Sequence, residues 1–393
     1  MRLVIQMATL LIVARMLGPH DFGAFTAIAA LALILGAFST FGSQLVLLGE
    51  TARDPLKQGE ILRHAVPTTL AGGVAMLALY LVLAPLLTGE AAIDLHVLVA
   101  IGITETVLQP LFSLPATQHL ALGRIARSQL LTLIPLALRL FAAAAVWKLA
   151  PDAPLAFYSY GYLIASLIAL SIATATMPVS WPSPSHMRLP KHTELRTMGG
   201  YASLAVSATA PSELDKSLAA SLMPMEAAGT YSAAGRIVGA ATLPVTAMLL
   251  SAAPRLFRAS ATNSLGDDRL HIWLFGAAAI YSTVLAAALW LLAPLVDELF
   301  GSAYQGVGDT LRVLSLAIPG IALRQTAGNI LMASGRPWAR FTFEMTGLLV
   351  LAVCAVIFVS RNGPAGMPLA LACAEWAMAC MGITATKKST MRN

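Results

Sequence analysis

The chain has 393 residues, of which 58% are hydrophobic and only 11% charged, with a net charge of +6 and a mean hydropathy of +0.76. A soluble domain carries roughly 25% charged residues because its surface faces water. This composition disfavours a soluble globular protein, a disordered or collagenous chain, a disulfide scaffold and a nucleic-acid-binding domain, and leaves a polytopic membrane protein.

Apolar runs recur along the whole length, separated by short segments that hold the charges, prolines and glycines. About twelve are expected: Leu3 to Met16, Phe22 to Leu48, His64 to Leu87, Leu95 to Ala121, Gln129 to Leu149, Leu155 to Met177, Tyr201 to Met223, Tyr231 to Leu256, Ile272 to Val296, Leu311 to Ala333, Phe341 to Ser360 and Met367 to Thr384. This predicts an all-α membrane protein with two six-helix lobes, residues 1–178 and 199–393, joined by a cytoplasmic linker over 179–198. The first run is short: a helix over its residues rises only about 24 Å against a hydrocarbon core of roughly 30 Å. A truncated start is the expectation there. A signal peptide is the competing reading, opposed by Arg15 and by the lack of a small-residue cleavage site.

The basic residues orient the chain. With the N-terminus cytoplasmic, about 17 Lys and Arg fall in cytoplasmic connections and about four, Arg15, Lys148, Arg312 and Arg361, on the other side. Both termini are therefore expected in the cytoplasm, and the net positive charge implies no nucleic-acid partner. Trp147 and Trp290 at outer ends, with Trp181, Trp273 and Trp338 at inner ends, suit interfacial belts. Cys354, Cys373 and Cys380 lack paired spacing and read as small core hydrophobes.

The two halves resemble each other. His20-Asp21-Phe22-Gly23-Ala24-Phe25 is echoed by Ala227-Ala228-Gly229-Thr230-Tyr231, a Gly followed two positions on by an aromatic residue. The fourth and tenth runs close alike, as Leu120-Ala121-Leu122-Gly123-Arg124 and Met332-Ala333-Ser334-Gly335-Arg336. Six spans per half is an even number, so the halves enter the membrane in one orientation, and a cavity between them is the natural expectation.

Several ionisable residues fall inside the spans, where each costs at least ~2.5 kcal/mol unless it faces protein or water. The bases are Arg139, Lys216, Arg236 and Arg324; the acids are Glu105, Glu213, Asp215, Glu344 and Glu375. Arg139 and Arg324 lie mid-run, where either a cavity or a buried pair with an acid such as Glu105 or Glu375 would account for them. Arg236 lies little more than a turn into its run, which leaves snorkelling open. Lys216 can pair locally with Glu213 three positions earlier, Glu344 reads as interfacial, and Glu375 as either an ion site or a neutral core acid. The seven histidines are scattered without ligand spacing, and no phosphate-binding loop occurs, so neither metal, cofactor nor enzymatic catalysis is expected. A membrane glycosyltransferase or polysaccharide polymerase would carry a sizeable catalytic outer loop. The longest outer connection, Asp297 to Thr310, is too short for one.

Ala14-Arg15-Met16-Leu17-Gly18-Pro19-His20-Asp21-Phe22-Gly23 resembles the first outer turn of Wzx-type polysaccharide flippases, in the superfamily of multidrug extruders and oligosaccharidyl-lipid flippases. The likeness continues in Asp215-Lys216 with Gly229-Thr230-Tyr231-Ser232-Ala233-Ala234-Gly235-Arg236, and in Leu299-Phe300-Gly301-Ser302-Ala303-Tyr304 followed by Leu311-Arg312-Val313-Leu314. The resemblance implies two six-helix lobes around a central cavity and an alternating-access cycle. The substrate it implies is an undecaprenyl-pyrophosphate-linked oligosaccharide, carried across the bacterial inner membrane and handed to polysaccharide polymerase machinery. Such a cargo needs cations for its pyrophosphate, and Arg139, Lys216, Arg236 and Arg324 are the candidates. Gly36, Ala37 and Gly42 are expected to let the lobes pack and slide. The alternative within the superfamily is a cation-coupled multidrug exporter, in which Glu105, Asp215 and Glu375 would couple an ion. A sugar transporter of the major facilitator type shares the layout, but its usual signature between the second and third helices is missing from Gly49 to Lys57.

Overall fold

A computed structural model describes residues 2–88, 93–262 and 266–390, and the described chain is helical throughout, with no strand. The first six spans are built from α1 (Arg2–Ser39, broken at Gly18), α2 (Ser43–Arg53), α3 (Gln58–Thr88), α4 (Leu95–Gly102) continued by α5 (Gln109–Ala121), α6 (Ile125–Leu149) and α7 (Pro154–Ala175). The last six comprise α8 (His192–Leu222), α9 (Met225–Ala241) with α10 (Leu243–Thr262), α11 (Gly266–Phe300), α12 (Val307–Ser315) with α13 (Ile318–Ala333), α14 (Pro337–Asn362) and α15 (Gly366–Thr390).

Among the described residues, eight helical stretches are long and apolar enough to cross a membrane, and they take in ten of the twelve runs. The seventh and tenth runs are the exceptions, for physical reasons. The α8 helix carries Glu213, Asp215 and Lys216 mid-length, and the tenth span is divided between two shorter helices at Leu316 and Ala317.

The chain divides into two compact units, Met1–Leu17 with Ala24–Ser217, and Gly18–Gly23 with Leu218–Asn393. Inside the first, Leu47, Leu62 and Leu114 centre a buried cluster on which Val179, Trp181 and Met187 of the linker pack. The linker is further tied by the Val179 amide donating to Gln118 Oε1 and the Arg188 amide to the Arg63 carbonyl. Inside the second, Val245, Leu249, Ala278 and Ala322 form one cluster and Leu256, Leu274 and Ile330 another.

The repeated motifs are local backbone devices. Gly123 and Gly335 stand at φ +72° and +67°, the left-handed region that glycine tolerates. In each case the following arginine amide reaches back to close the preceding helix, Arg124 to the His119 carbonyl and Arg336 to the Leu331 carbonyl, both at 2.9 Å. The sequence echo at the ends of the fourth and tenth runs is thus one helix cap used twice. Interruption of the helix is repeated too. Between α4 and α5 the backbone widens into a π-turn over Ile103–Leu108. Pro110, lacking an N–H, cannot donate to the Thr106 carbonyl as a helix requires, and Thr104 and Thr106 turn their hydroxyls onto the Ala100 and Gly102 carbonyls. Pro319 likewise follows the break between α12 and α13.

Glycines fix the closest helix crossings. Gly23 and Gly229, the two motif glycines, meet each other: a Cβ on Gly23 would lie 2.8 Å from the Gly229 amide nitrogen, and one on Gly229 would collide with the Pro19 carbonyl. Phe22 and Phe300 pack on the buried Tyr304 ring, with centroids 6.4 and 5.4 Å away. The nearest neighbours of Gly36 and Gly42 lie inside the first unit, on Glu105 and on Met198 with Ala202. Gly36 thus packs helices of the first six spans on one another, whereas Gly42 brings the chain before α2 against α8, the first helix of the expected C-terminal lobe. The cysteines also differ from expectation. Cys373 and Cys380, seven residues apart on α15, are exposed, and Cys354 is half-buried, because the apolar side of a membrane helix can face lipid as readily as protein.

Candidate functional site

Each unit holds a buried ion-pair cluster inside its spans. In the first, Glu105 sits in the π-turn with its side chain 1% exposed, and Arg139 of α6 approaches it with Nη2 3.3 Å from Oε1. The same nitrogen donates to Ser166 Oγ at 3.2 Å, and the guanidinium lies 3.8 Å over the centroid of the Tyr162 ring. The Tyr162 hydroxyl donates to Glu105 Oε1 at 2.5 Å. Both Tyr162 and Ser166 belong to α7, one turn apart, so the cluster ties three spans together.

In the second unit Arg324 of α13 is the centre. Its Nε meets Glu375 Oε2 of α15 at 2.6 Å and its Nη1 lies 3.7 Å from Glu344 Oε1 of α14. Arg340, a turn before Glu344, donates to the same Oε1 at 3.1 Å. Two acids and two bases thus alternate. Glu344, read from the sequence as interfacial, is buried at 1% because the two arginines compensate it. Burying such groups costs several kcal/mol per ion, so removal of any one partner leaves an expensive bare charge.

Lys216 is also compensated, by Glu213 at 3.0 Å and Asp215 at 3.7 Å, and its Nζ donates to the Ser212 carbonyl. Arg236 differs. It is half-buried and has neither an ion pair nor a hydrogen bond among the described residues. Its helix starts at Met225, six residues before the apolar run, so Arg236 lies eleven residues in, about 16 Å along the axis. Snorkelling from the near end is correspondingly harder.

The sequence-predicted residues are brought together only in part: Arg139 with Glu105, Arg324 with Glu375, and Lys216 with Asp215. Tyr162, Ser166 and Arg340 belong to these clusters but carried no signal in the sequence. A tyrosine and a serine in an apolar run look like interfacial or packing residues, and Arg340 like a loop charge. Among the described residues no group of three His, Cys, Asp or Glu side chains could hold a metal ion.

Outside the membrane, Arg188 of the linker forms a bidentate pair with Glu194, both contacts at 2.7 Å, and the Lys191 amide donates to the same carboxylate. The Arg188 hydrogen bonds hold the Glu194 carboxyl down at about 2.

Comparison with known proteins gives the wider frame. No curated protein matches the sequence. Solved structures do match in fold. An inward-facing multidrug resistance transporter of the MATE family, in the MOP superfamily, has a TM-score of 0.81 at 14% identity, covering 99% of this chain and 95% of that one. A lipid II flippase, MurJ, in an inward closed conformation, has a TM-score of 0.74 at 13% identity, covering 98% and 86%. A MOP superfamily transporter from Pyrococcus furiosus, described as having a binding pocket of reverse polarity, has a TM-score of 0.71 at 14% identity, covering 100% and 95%. The family model described as polysaccharide biosynthesis protein matches residues 2–260. The chain is a multi-pass helical membrane protein with about twelve spans that shares its fold with these transporters, and it belongs to the polysaccharide biosynthesis protein family.

Proposed function

We propose that the chain flips undecaprenyl-pyrophosphate-linked oligosaccharide repeat units across the bacterial inner membrane by alternating access, in surface polysaccharide biosynthesis, with both termini in the cytoplasm. One observation carries the choice of an anionic cargo. Arg236 is a half-buried guanidinium inside a span with no compensating acid among the described residues, and an uncompensated cation there is stabilised when it meets an anion. A pyrophosphate suits it, because the planar fork of the guanidinium matches phosphate oxygens. Arg139, Lys216 and Arg324 would add to the field at the cargo. The acids of the multidrug alternative, Glu105, Asp215 and Glu375, each lie within 4 Å of a base, which leaves less net negative charge to attract an organic cation. The lipid II flippase among the structural neighbours moves a lipid-linked cargo by its printed description, consistent with this class of substrate.

The test is complementation of a strain lacking its own flippase. Arg236→Gln should insert at wild-type levels while lipid-linked repeat units accumulate on the cytoplasmic leaflet and surface polysaccharide falls at least tenfold. Normal surface polysaccharide with Arg236→Gln would remove Arg236 from the cargo site, whereas failure of the wild-type chain to restore surface polysaccharide, together with acquired resistance to cationic dyes, would transfer the chain to the drug-exporter class.

A further inference from the structure

Glu105 is compensated through one of its two oxygens and by a single base. Oε1 takes the Tyr162 hydroxyl and Arg139 Nη2, while Oε2, buried, has no hydrogen-bond partner among the described residues. Arg139 holds it by a single contact at 3.3 Å instead of a two-pronged fork, and its own Nε is unpartnered as well. Glu344 also has an unpartnered oxygen, but two guanidinium groups flank it. The groups facing Glu105 can be named helix by helix. They are Arg139 from α6, then Tyr158, Tyr162 and Ser166 from α7, and from α3 the fully buried Tyr80, whose ring packs at Gly102 and whose hydroxyl is likewise unpartnered. From α1 and α3, Gly36 and Gly73 bring only backbone to the π-turn.

We infer that Glu105 is a proton-operated switch on Arg139: while ionised it occupies the guanidinium, and when a proton settles on Oε2 it releases Arg139 to bind the pyrophosphate of the cargo. The inference rests on the flippase reading above. Charge balance drives it. An anion added to a neutral buried pair leaves net negative charge in low dielectric, and uptake of one proton by the free oxygen lowers that charge by one unit. A metal cation would suffer repulsion from the guanidinium and need several oxygen ligands, whereas a proton needs one. The Tyr162 ring keeps Arg139 in place in either state, since its attraction for the cation does not depend on Glu105. The step breaks one ion pair, adds one solvent proton to Oε2 and returns it when the anion leaves.

Binding of a short-chain prenyl-pyrophosphoryl disaccharide, which has no group titrating near neutrality, to the purified full chain tests this. Wild-type affinity should rise up to about tenfold per pH unit as pH falls while Glu105 is ionised in the unbound state, and binding should bring up the infrared band of a protonated carboxyl. Glu105→Gln should bind with no pH dependence and without that band. A flat wild-type affinity, or a carboxyl band that persists in Glu105→Gln, overturns the switch and leaves the flippase reading intact. Absence of any binding by the wild type overturns both. Should Glu105→Gln fail to fold, the wild-type spectrum decides alone: no new carboxyl band on binding sinks the proposal.

Discussion

The two buried clusters occupy matching places in the duplicated architecture yet invert their charges. In the first unit the fourth span supplies the acid, Glu105, and the fifth the base, Arg139; in the second the tenth span supplies the base, Arg324, and the eleventh and twelfth the acids, Glu344 and Glu375. What the duplication preserves is backbone: a mid-span interruption followed by proline, a glycine cap, a glycine crossing. What it leaves free is the sign of the buried charge, because compensation is satisfied equally well by acid on base or base on acid. The clusters also differ in completeness. Arg324 is gripped at 2.6 Å within a set of four charges, Arg139 at 3.3 Å within a set of two.

That difference can be broken by mutation. The largest effect is expected from Arg324→Ala, which takes a guanidinium from both Glu375 and Glu344; a loss of about 5 kcal/mol is expected. Arg139→Ala should cost about 3 kcal/mol, because Glu105 keeps the Tyr162 hydroxyl. Thermal unfolding in detergent ranks the two, and the reverse order would sink the claim that the first cluster is the looser. A middle effect comes from the glycines lying on each acid. A Cβ on Gly36 collides with the Glu105 carbonyl, whereas one on Gly320 sits 3.0 Å from the Glu375 carbonyl carbon and 3.2 Å from its Cβ. Gly36→Ala is expected to lose about 3 kcal/mol and Gly320→Ala about 1, and equal losses would show that the first unit relaxes more readily than its packing suggests.

The smallest effect is expected where the same chemistry is wet. The Arg188–Glu194 pair of the linker is about a quarter exposed and contributes on the order of 1 kcal/mol. The carboxyl is depressed from 4.5 to about 2 on folding, so this contribution is fully present above pH 4.5 and is lost as pH falls towards 2. Protease cleavage of the linker should accelerate over that window in the wild type and be fast and pH-independent in Glu194→Gln. Unchanged cleavage in both would mean that Trp181 and Val179, packed on the Leu62 cluster, hold the linker without the ion pair.

Much of the fold was legible in the residues. Apolar length marked the spans because a bilayer admits no unsatisfied backbone, and the repeated Gly-x-aromatic and Gly-Arg pairs marked the duplication because each glycine serves a fixed backbone need: a left-handed cap at Gly123 and Gly335, a close crossing at Gly23 and Gly229. The charges were legible as exceptions but their partners were not. Pairing depends on which faces of distant helices meet, and Glu105 and Arg139 are 34 residues apart, Arg324 and Glu375 51. Exposure was likewise hidden: Glu344 near a span end is buried, and Cys373 in an apolar run is exposed, since in a membrane protein the apolar side of a helix can face lipid as readily as protein.

The sequence by itself determined that the chain spans a membrane many times, that its halves repeat, and that a handful of ionisable residues lie where insertion penalises them. Only the tertiary structure decided which of those charges cancel. Arg139, Lys216 and Arg324 are neutralised by neighbours, and Arg236, a half-buried cation without a partner among the described residues, is not. Composition along a chain sets what each segment can dissolve in, whereas compensation of charge is a property of distances of 3 to 4 Å, which exist only after helices far apart in sequence have packed.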